Sequence, residues 1–265
     1  MSILFSGDFH AGVQGELSCI TKKAIIKAFT RKNYANIRYH IILGDGGFMW
    51  QGYEKKDLYN YETLALRPFP ILCVLGNHEP IYGMEGLKET DIGLGETVYQ
   101  INEAPFVAYL KRGKIYTIDG IKFLVLGGAL SIDKNDRTPG KSWWENEYWT
   151  KQEEDDLFKL LGTDNNFDYV ISHTGPHHIN SKLFENQMGL SKKFYDEVAL
   201  LNDEINNKIL FRDWWCGHWH QDVFHYDTIT KHGYHYMYKS IKILEKIDNE
   251  FTIHAEPPLE PSSFN

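Results

Sequence analysis

Five short blocks of metal-ligating side chains run through the chain: Asp8 with His10, Asp45, Asn77 with His78 and Glu79, His173, and His218 with His220. Carboxylate and amide oxygens together with imidazole nitrogens suit a pair of divalent cations, and no thiolate accompanies them. In Asp8-x-His10 two ligands stand two residues apart, so an extended chain would point both to one side; the two imidazoles of His218-x-His220 are costly to place together unless something uses them. The Asp45 carboxylate has two oxygens and can touch two ions at once. Asn77 offers a neutral carbonyl ligand, and His78 beside it is placed to donate a hydrogen bond or a proton. Each block taken singly also reads as something ordinary, such as a capped turn, a loop histidine or two surface histidines on a strand. Their combination carries the reading.

These blocks need a frame that brings them together. Apolar runs at residues 3–6, 39–43, 71–75 and 169–172 read as strands, each followed closely by a block. A sheet would gather the blocks along one edge, where loops on a rigid scaffold carry function. Helical spacing is expected over residues 16–31, 57–66 and 191–205. A helix is also expected after Thr150, where Thr150 and Glu153 make a capping box and Gly162 is placed at C′. Asp119-Gly120 between β-rich runs predicts a hairpin. Residues 80–109 are Gly-spaced and weakly periodic, which suggests loops and a short helix covering the site. Strand patterns return at 223–226, 234–244 and 251–254. The predicted architecture is an α/β (α+β) four-layer sandwich, with two mixed β-sheets packed face to face and flanked by helices. It forms one domain over residues 1–255, followed by a Pro-rich extended tail at 256–265.

Bulk properties narrow the function. The chain has 265 residues and a formal net charge of −8. That balance argues against a nucleic-acid polymer as partner, since such proteins carry a basic stripe. The pairs Lys22-Lys23, Lys55-Lys56 and Lys192-Lys193 read as solvated helix faces. Three widely spaced cysteines give no disulfide framework. No signal peptide is seen at the N-terminus, and no run approaches the ~18 apolar residues of a membrane span. The expected location is the cytoplasm; the sequence carries no signal for oligomeric state. With 16 Tyr, 15 Phe and 7 Trp, aromatic side chains should line much of the core and any cleft.

In order and identity, Asp-x-His, Gly-Asp, Gly-Asn-His, His and Gly-His-x-His, the chain resembles the calcineurin-like metallophosphoesterase superfamily from residue 8 to residue 220. The resemblance implies one ion held by Asp8, His10, Asp45 and His220, and a second held by Asp45, Asn77, His173 and His218, with Asp45 bridging. It implies that His78 is catalytic and does not bind metal. The cations would be Mn²⁺ first, with Fe or Zn²⁺ as alternatives. The implied reaction is hydrolysis of a small phosphomonoester or phosphodiester, a nucleotide among the candidates. A metal-bridging hydroxide would attack phosphorus, and His78 would assist the leaving group. A nuclease acting on single strands and a non-catalytic scaffold of the same fold are the alternatives.

The chain departs from the superfamily's Gly-Asp-x-x-Asp-Arg pattern, because Phe48 and Met49 stand at the last two places. The Asp that would orient the histidine and the Arg that would clasp phosphate are therefore missing, which argues against a protein phosphatase. Glu79 is the candidate to orient His78. Phe48, Met49 and Trp50 are read either as a cleft wall or as packing under a loop. Trp143 and Trp144 are expected in the core, and His177 and His178 on the surface.

Overall fold

The computed structural model describes residues 1–8, 10, 22–48, 67–79, 87–101, 107–184, 196–247 and 250–255. Strands β1 (Ser2–Ser6), β2 (Ile37–Ile42), β3 (Ile71–Cys73), β4 (Leu87–Asp91), β5 (Thr97–Ile101) and β6 (Val107–Leu110) join β13 (Lys242–Ile247) and β14 (Glu250–Ala255) in an eight-stranded sheet. Its order is β14-β13-β1-β2-β3-β6-β5-β4, and β1, β2, β3 and β6 are parallel neighbours. Strands β7 (Lys114–Ile118), β8 (Ile121–Val125), β9 (Tyr169–Ile171), β10 (Asp213–Cys216), β11 (Val223–Asp227) and β12 (His232–Tyr236) form a six-stranded sheet ordered β11-β12-β10-β9-β8-β7. There β12, β10, β9 and β8 are parallel neighbours.

Alternation along the strands builds three cores from these two sheets. Ile3 and Phe5 of β1, Ile41 of β2 and Leu72 of β3 meet Phe123, Tyr169, Ile171 and Trp215 of the other sheet. This is the middle of the sandwich, with Phe5 stacked on Trp215 at 4.5 Å and 18°. The intervening Leu4, Ile42, Ile71 and Cys73 face outward and pack on Ile25 of α1 (Lys22–Ala28). On the far side Leu124, Val170, Trp214 and Tyr236 pack on three helices: α3 (Lys151–Leu161), α4 (His177–Phe184) and α5 (Glu197–Asn206). Burial on both faces explains why these strands read as continuous apolar runs. The layers are helices, sheet, sheet, helices, as the sequence predicts.

Several local expectations hold. Thr150 and Glu153 form the capping box of α3. Asp119 (φ 55°) and Gly120 (φ 73°) make the tight turn between β7 and β8, a pairing of left-handed residues that matches strand twist. Lys22 and Lys23 are exposed on α1.

Other expectations are corrected. The helix expected over 16–31 is broken within its described part. The helix α1 ends at Ala28, and Thr30 caps a second short helix, α2 (Arg31–Asn36), by accepting from the Asn33 amide. Gly162 caps α3 in right-handed geometry (φ −66°) rather than left-handed. The helix expected from 191 is described from Glu197, where Asp196 accepts from the Val198 and Ala199 amides. Where loops were expected in 80–109, β4, β5 and β6 extend the larger sheet. Gly93 and Gly95 (φ 79° and 95°) punctuate a hairpin there, and the alternating Thr-Val-Tyr-Gln-Ile run suits a strand. The run at 234–244 is split between the two sheets, β12 in one and β13 in the other. Trp143 and Trp144 are half-buried, and Lys134 lies over the Trp143 ring. Residues 57–66, the tail at 256–265, Cys19 and the remaining lysine pairs lie outside the described residues.

His40 on β2 is buried, with its Nε2 2.6 Å from Ser6 Oγ. Desolvation, helped by Arg67, pushes its pKa down to about 3. An unfolded chain takes up this proton near pH 6.5, so the contribution of neutral His40 to stability is complete above pH 6.5. It is lost as pH falls towards 3. Between pH 7 and pH 5 the wild type should lose about 2 kcal/mol more unfolding free energy than His40→Gln. Denaturant titrations of both proteins measure this, and parallel pH profiles would contradict it.

Candidate metal centre at the carboxyl edge of the sheets

The expected ligands follow the carboxyl ends of five parallel strands: Asp8 after β1, Asp45 after β2, Asn77 after β3, His173 after β9, and His218 and His220 after β10. Strand ends of this kind are where open α/β sheets hold ligands. Glycine lets the turns come together. Gly44 is left-handed (φ 84°), and a side chain there would run into the His173 imidazole. A side chain at Gly76 would run into the Asp45 carboxylate.

The expected ligand residues are bent rather than extended, which corrects the expected geometry of the Asp8-x-His10 pair. Asp8, His10, Asp45, His218 and His220 have φ of 51°, 44°, 48°, 67° and 49°. Among the described residues only Asp119 and Lys231 share this conformation without being glycine. Such backbone costs on the order of 1–3 kcal/mol per residue and concentrates at functional sites.

Hydrogen bonds fix the hooked loops to one another. The His10 amide donates to the Asp45 carbonyl (2.9 Å) and the Gly217 amide to the His173 carbonyl (2.8 Å). The His78 amide donates to Asp45 Oδ1 at 3.0 Å. Nδ1 of His173 donates to the Leu43 carbonyl (2.8 Å), which turns Nε2 inward. That nitrogen lies 3.0 Å from Asn77 Oδ1 and 3.3 Å from Asp45 Oδ2.

Ligand atoms of Asp8, His10 and His220 lie within 4.8 Å of one another, as do those of Asp8, Asp45 and His173, and those of His10, Asp45 and His78. His218 packs edge-on against His173, with ring centroids 5.0 Å apart. All seven expected ligands and His78 are thus brought to one place. Asp8 is fully buried, and neither of its carboxylate oxygens makes a hydrogen bond among the described residues. Its ionic neighbours are Nε2 of His10 at 3.3 Å and Nε2 of His220 at 3.5 Å. A buried carboxylate whose nearest donors are imidazoles at 3.3 and 3.5 Å is incompletely satisfied, which is costly. A cation satisfies it, and the oxygen and nitrogen donors around it suit a hard or borderline divalent ion.

The electrostatics agree. Burial opposes ionisation of Asp8 and Asp45, yet the surrounding imidazoles hold both carboxyls well below the usual range. Burial equally opposes charge on His10 and His173, but the two carboxylates raise them to about 9 and about 10. His218 is pushed down to about 3 by desolvation and the nearby His173. His78, desolvated and beside Arg137, falls to about 4.

Some contributing residues carry no signal in the sequence. Arg137 places Nη1 2.5 Å from His78 Nδ1 and Nη2 3.1 Å from His78 Nε2. Nδ2 of Asn77 donates to Ser131 Oγ (2.9 Å), and that hydroxyl donates to Glu147 Oε2 (2.6 Å). This chain leaves Asn77 Oδ1 facing the site. Arg137, Asp45 and His10 are among the side chains that meet the His78 ring, Asp45 with Oδ2 3.6 Å from Nε2 and His10 edge-on with ring centroids 5.4 Å apart. Glu79 acts on the backbone instead. Its Oε2 accepts from the Gly76 amide (2.6 Å) and the Asp45 amide (3.3 Å), tying two ligand loops together. Phe48 is core packing rather than a cleft wall; Met49 and Trp50 lie outside the described residues. His177 is partly exposed, and His178 is exposed and bound to Asp203 across α4 and α5, as surface residues.

Beside the ligands opens a pocket of about 320 Å³ lined by Asn77, His78, Ser131, Arg137, Trp219 and neighbouring residues. Solved structures share the architecture at low identity. One solved chain aligns at a TM-score of 0.52 and 10% identity, over 97% of this chain and 99% of its own length. A putative 5′-nucleotidase from Staphylococcus aureus aligns at 0.48 and 14%, over 100% of this chain and 56% of its own, so this chain spans little more than half of that protein. An archaeal phosphodiesterase aligns at 0.41 and 12%, over 96% and 99%. No curated protein matches the sequence. The model of the calcineurin-like phosphoesterase family, metal-dependent hydrolases of phosphate esters, matches residues 1–222. That span takes in every ligand block and the strands from which they project, and the chain belongs to the calcineurin-like phosphoesterase family.

Proposed function

We propose that the chain hydrolyses a small phosphate ester at a two-metal centre. Asp8, His10, Asp45 and His220 hold one ion; Asp45, Asn77, His173 and His218 hold the other, with Asp45 shared. The observation that carries this reading is the pair of buried carboxylates, Asp8 and Asp45, ringed by imidazoles, with neither Asp8 oxygen in a well-formed hydrogen bond among the described residues. Mn²⁺ is the first choice for an oxygen and nitrogen donor set of this kind. When bound, the ions would neutralise phosphoryl oxygens and supply an ionised water as nucleophile.

The protein does the rest. Glu79 holds the Gly76 and Asp45 backbones so that the Asp45 carboxylate stays between the two ligand sets. Glu147 and Ser131 hold the Asn77 amide with its oxygen inward. His78, whose pKa of about 4 leaves it neutral at pH 7, lines the pocket and offers a ring N–H to the phosphoryl group or to the leaving oxygen. The substrate fits a pocket of about 320 Å³, which suits a small phosphomonoester or phosphodiester, nucleotides included. A cytoplasmic setting is part of this reading. Among the described residues no helix is long and apolar enough to cross a membrane.

Removing metal and restoring Mn²⁺ should abolish and then recover turnover of p-nitrophenyl phosphate or its bis-ester. Silence on both esters with two ions bound would contradict the reading. His78→Ala should retain both ions and lose roughly 10²–10⁴-fold in turnover; elemental analysis of that variant checks the first half, and lost metal would assign His78 a ligand role instead. Asp45→Asn should carry less than one tightly held ion per chain, since it weakens both positions together. Two retained ions would show that Asp45 is not shared.

A further inference from the structure

The loop after β8 carries a cationic group that the ligand pattern does not account for. Arg137 is anchored at two points: its Nε lies 2.7 Å from Asp133 Oδ1, and Nη1 donates to the Ser142 carbonyl at 3.1 Å. Its outer edge is turned to the pocket, where both Nη atoms face the ring nitrogens of His78. Guanidinium has five N–H donors. Asp133 and Ser142 use two of them, and a neutral imidazole has one acceptor nitrogen, so the His78 ring can use one more. Two Nη donors are left over on a residue that lines the pocket together with Asn77, Ser131 and His78. A planar, anchored fork with spare donors is the group that binds phosphoryl oxygens pairwise.

We propose that Arg137 is the specificity residue of this pocket, binding the non-bridging oxygens of a terminal phosphoryl group and favouring phosphomonoesters over diesters. This rests on the phosphoesterase reading above. A monoester presents three non-bridging oxygens and a diester two, so a monoester keeps one more oxygen for the fork once others are engaged. Asp133 and Ser142 are positioning residues, because they act through the Arg137 fork that they hold.

Binding of inorganic phosphate to the Mn²⁺-loaded full chain, measured by titration calorimetry, tests the proposal alongside kcat/KM for p-nitrophenyl phosphate and its bis-ester. In Arg137→Gln, phosphate affinity should fall at least tenfold with metal content unchanged, and the monoester should lose more kcat/KM than the diester. Arg137→Lys, which keeps the charge and loses the fork, should recover only part of the phosphate affinity. Unchanged phosphate affinity in Arg137→Gln, or equal loss on both esters, overturns the proposal while an active wild type leaves the phosphoesterase reading standing. A wild type that neither binds phosphate nor turns over either ester overturns both.

Discussion

Two carboxylates, Asp8 and Asp45, are buried side by side where the carboxyl ends of both sheets meet, and the rest of the site answers to that placement. Two like charges removed from water repel each other and lose hydration, and neither loss is repaired by packing. Positive charge must be supplied. The chain itself can supply it as protons on His10 and His173, whose pKa values of about 9 and about 10 record the demand. Divalent ions held by these side chains would meet the same demand with more charge and would take the place of those protons.

Everything upstream serves to hold that unfavourable cluster in place. Phe5, Phe123, Tyr169 and Trp215 lock the two sheets face to face, so that strand ends from different sheets arrive at one point. Glycines at 44 and 76 let backbone approach side chain where any Cβ would collide. Five of the expected ligand residues, Asp8, His10, Asp45, His218 and His220, accept left-handed backbone strain. Cross-loop bonds from His10, His78 and Gly217, and the Glu79 carboxylate on two amides, stop the loops from relaxing. The strain is tolerated because the sandwich beneath is buried on every face of its central strands.

The ligand blocks were legible because each is local: a glycine, a ligand and a preceding apolar run sit within a few residues of one another. Continuous apolar runs likewise announced strands buried on both faces. What escaped the sequence depends on distance or on tertiary choice. Arg137 meets His78 across 59 residues, and Glu147 supports Asn77 through Ser131, with nothing in spacing to mark either. The hairpin of β4 and β5 was hidden by the glycines that make it, which read equally well as a loop. The helix expected over 16–31 ignored Thr30, a good N-cap inside an apparently continuous apolar stripe. An extended Asp-x-His pair was the simplest geometry, and the left-handed turns that replace it are invisible in residue types alone.

The central claim is that the sheets' carboxyl edge is a metal centre built around Asp45. Crystals grown with Mn²⁺ and measured for anomalous scattering test it most directly. Two peaks flanking the Asp45 carboxylate, one beside Asp8, His10 and His220 and the other beside Asn77, His173 and His218, are the predicted result. A single peak away from Asp45, or none with these side chains in place, would contradict the account.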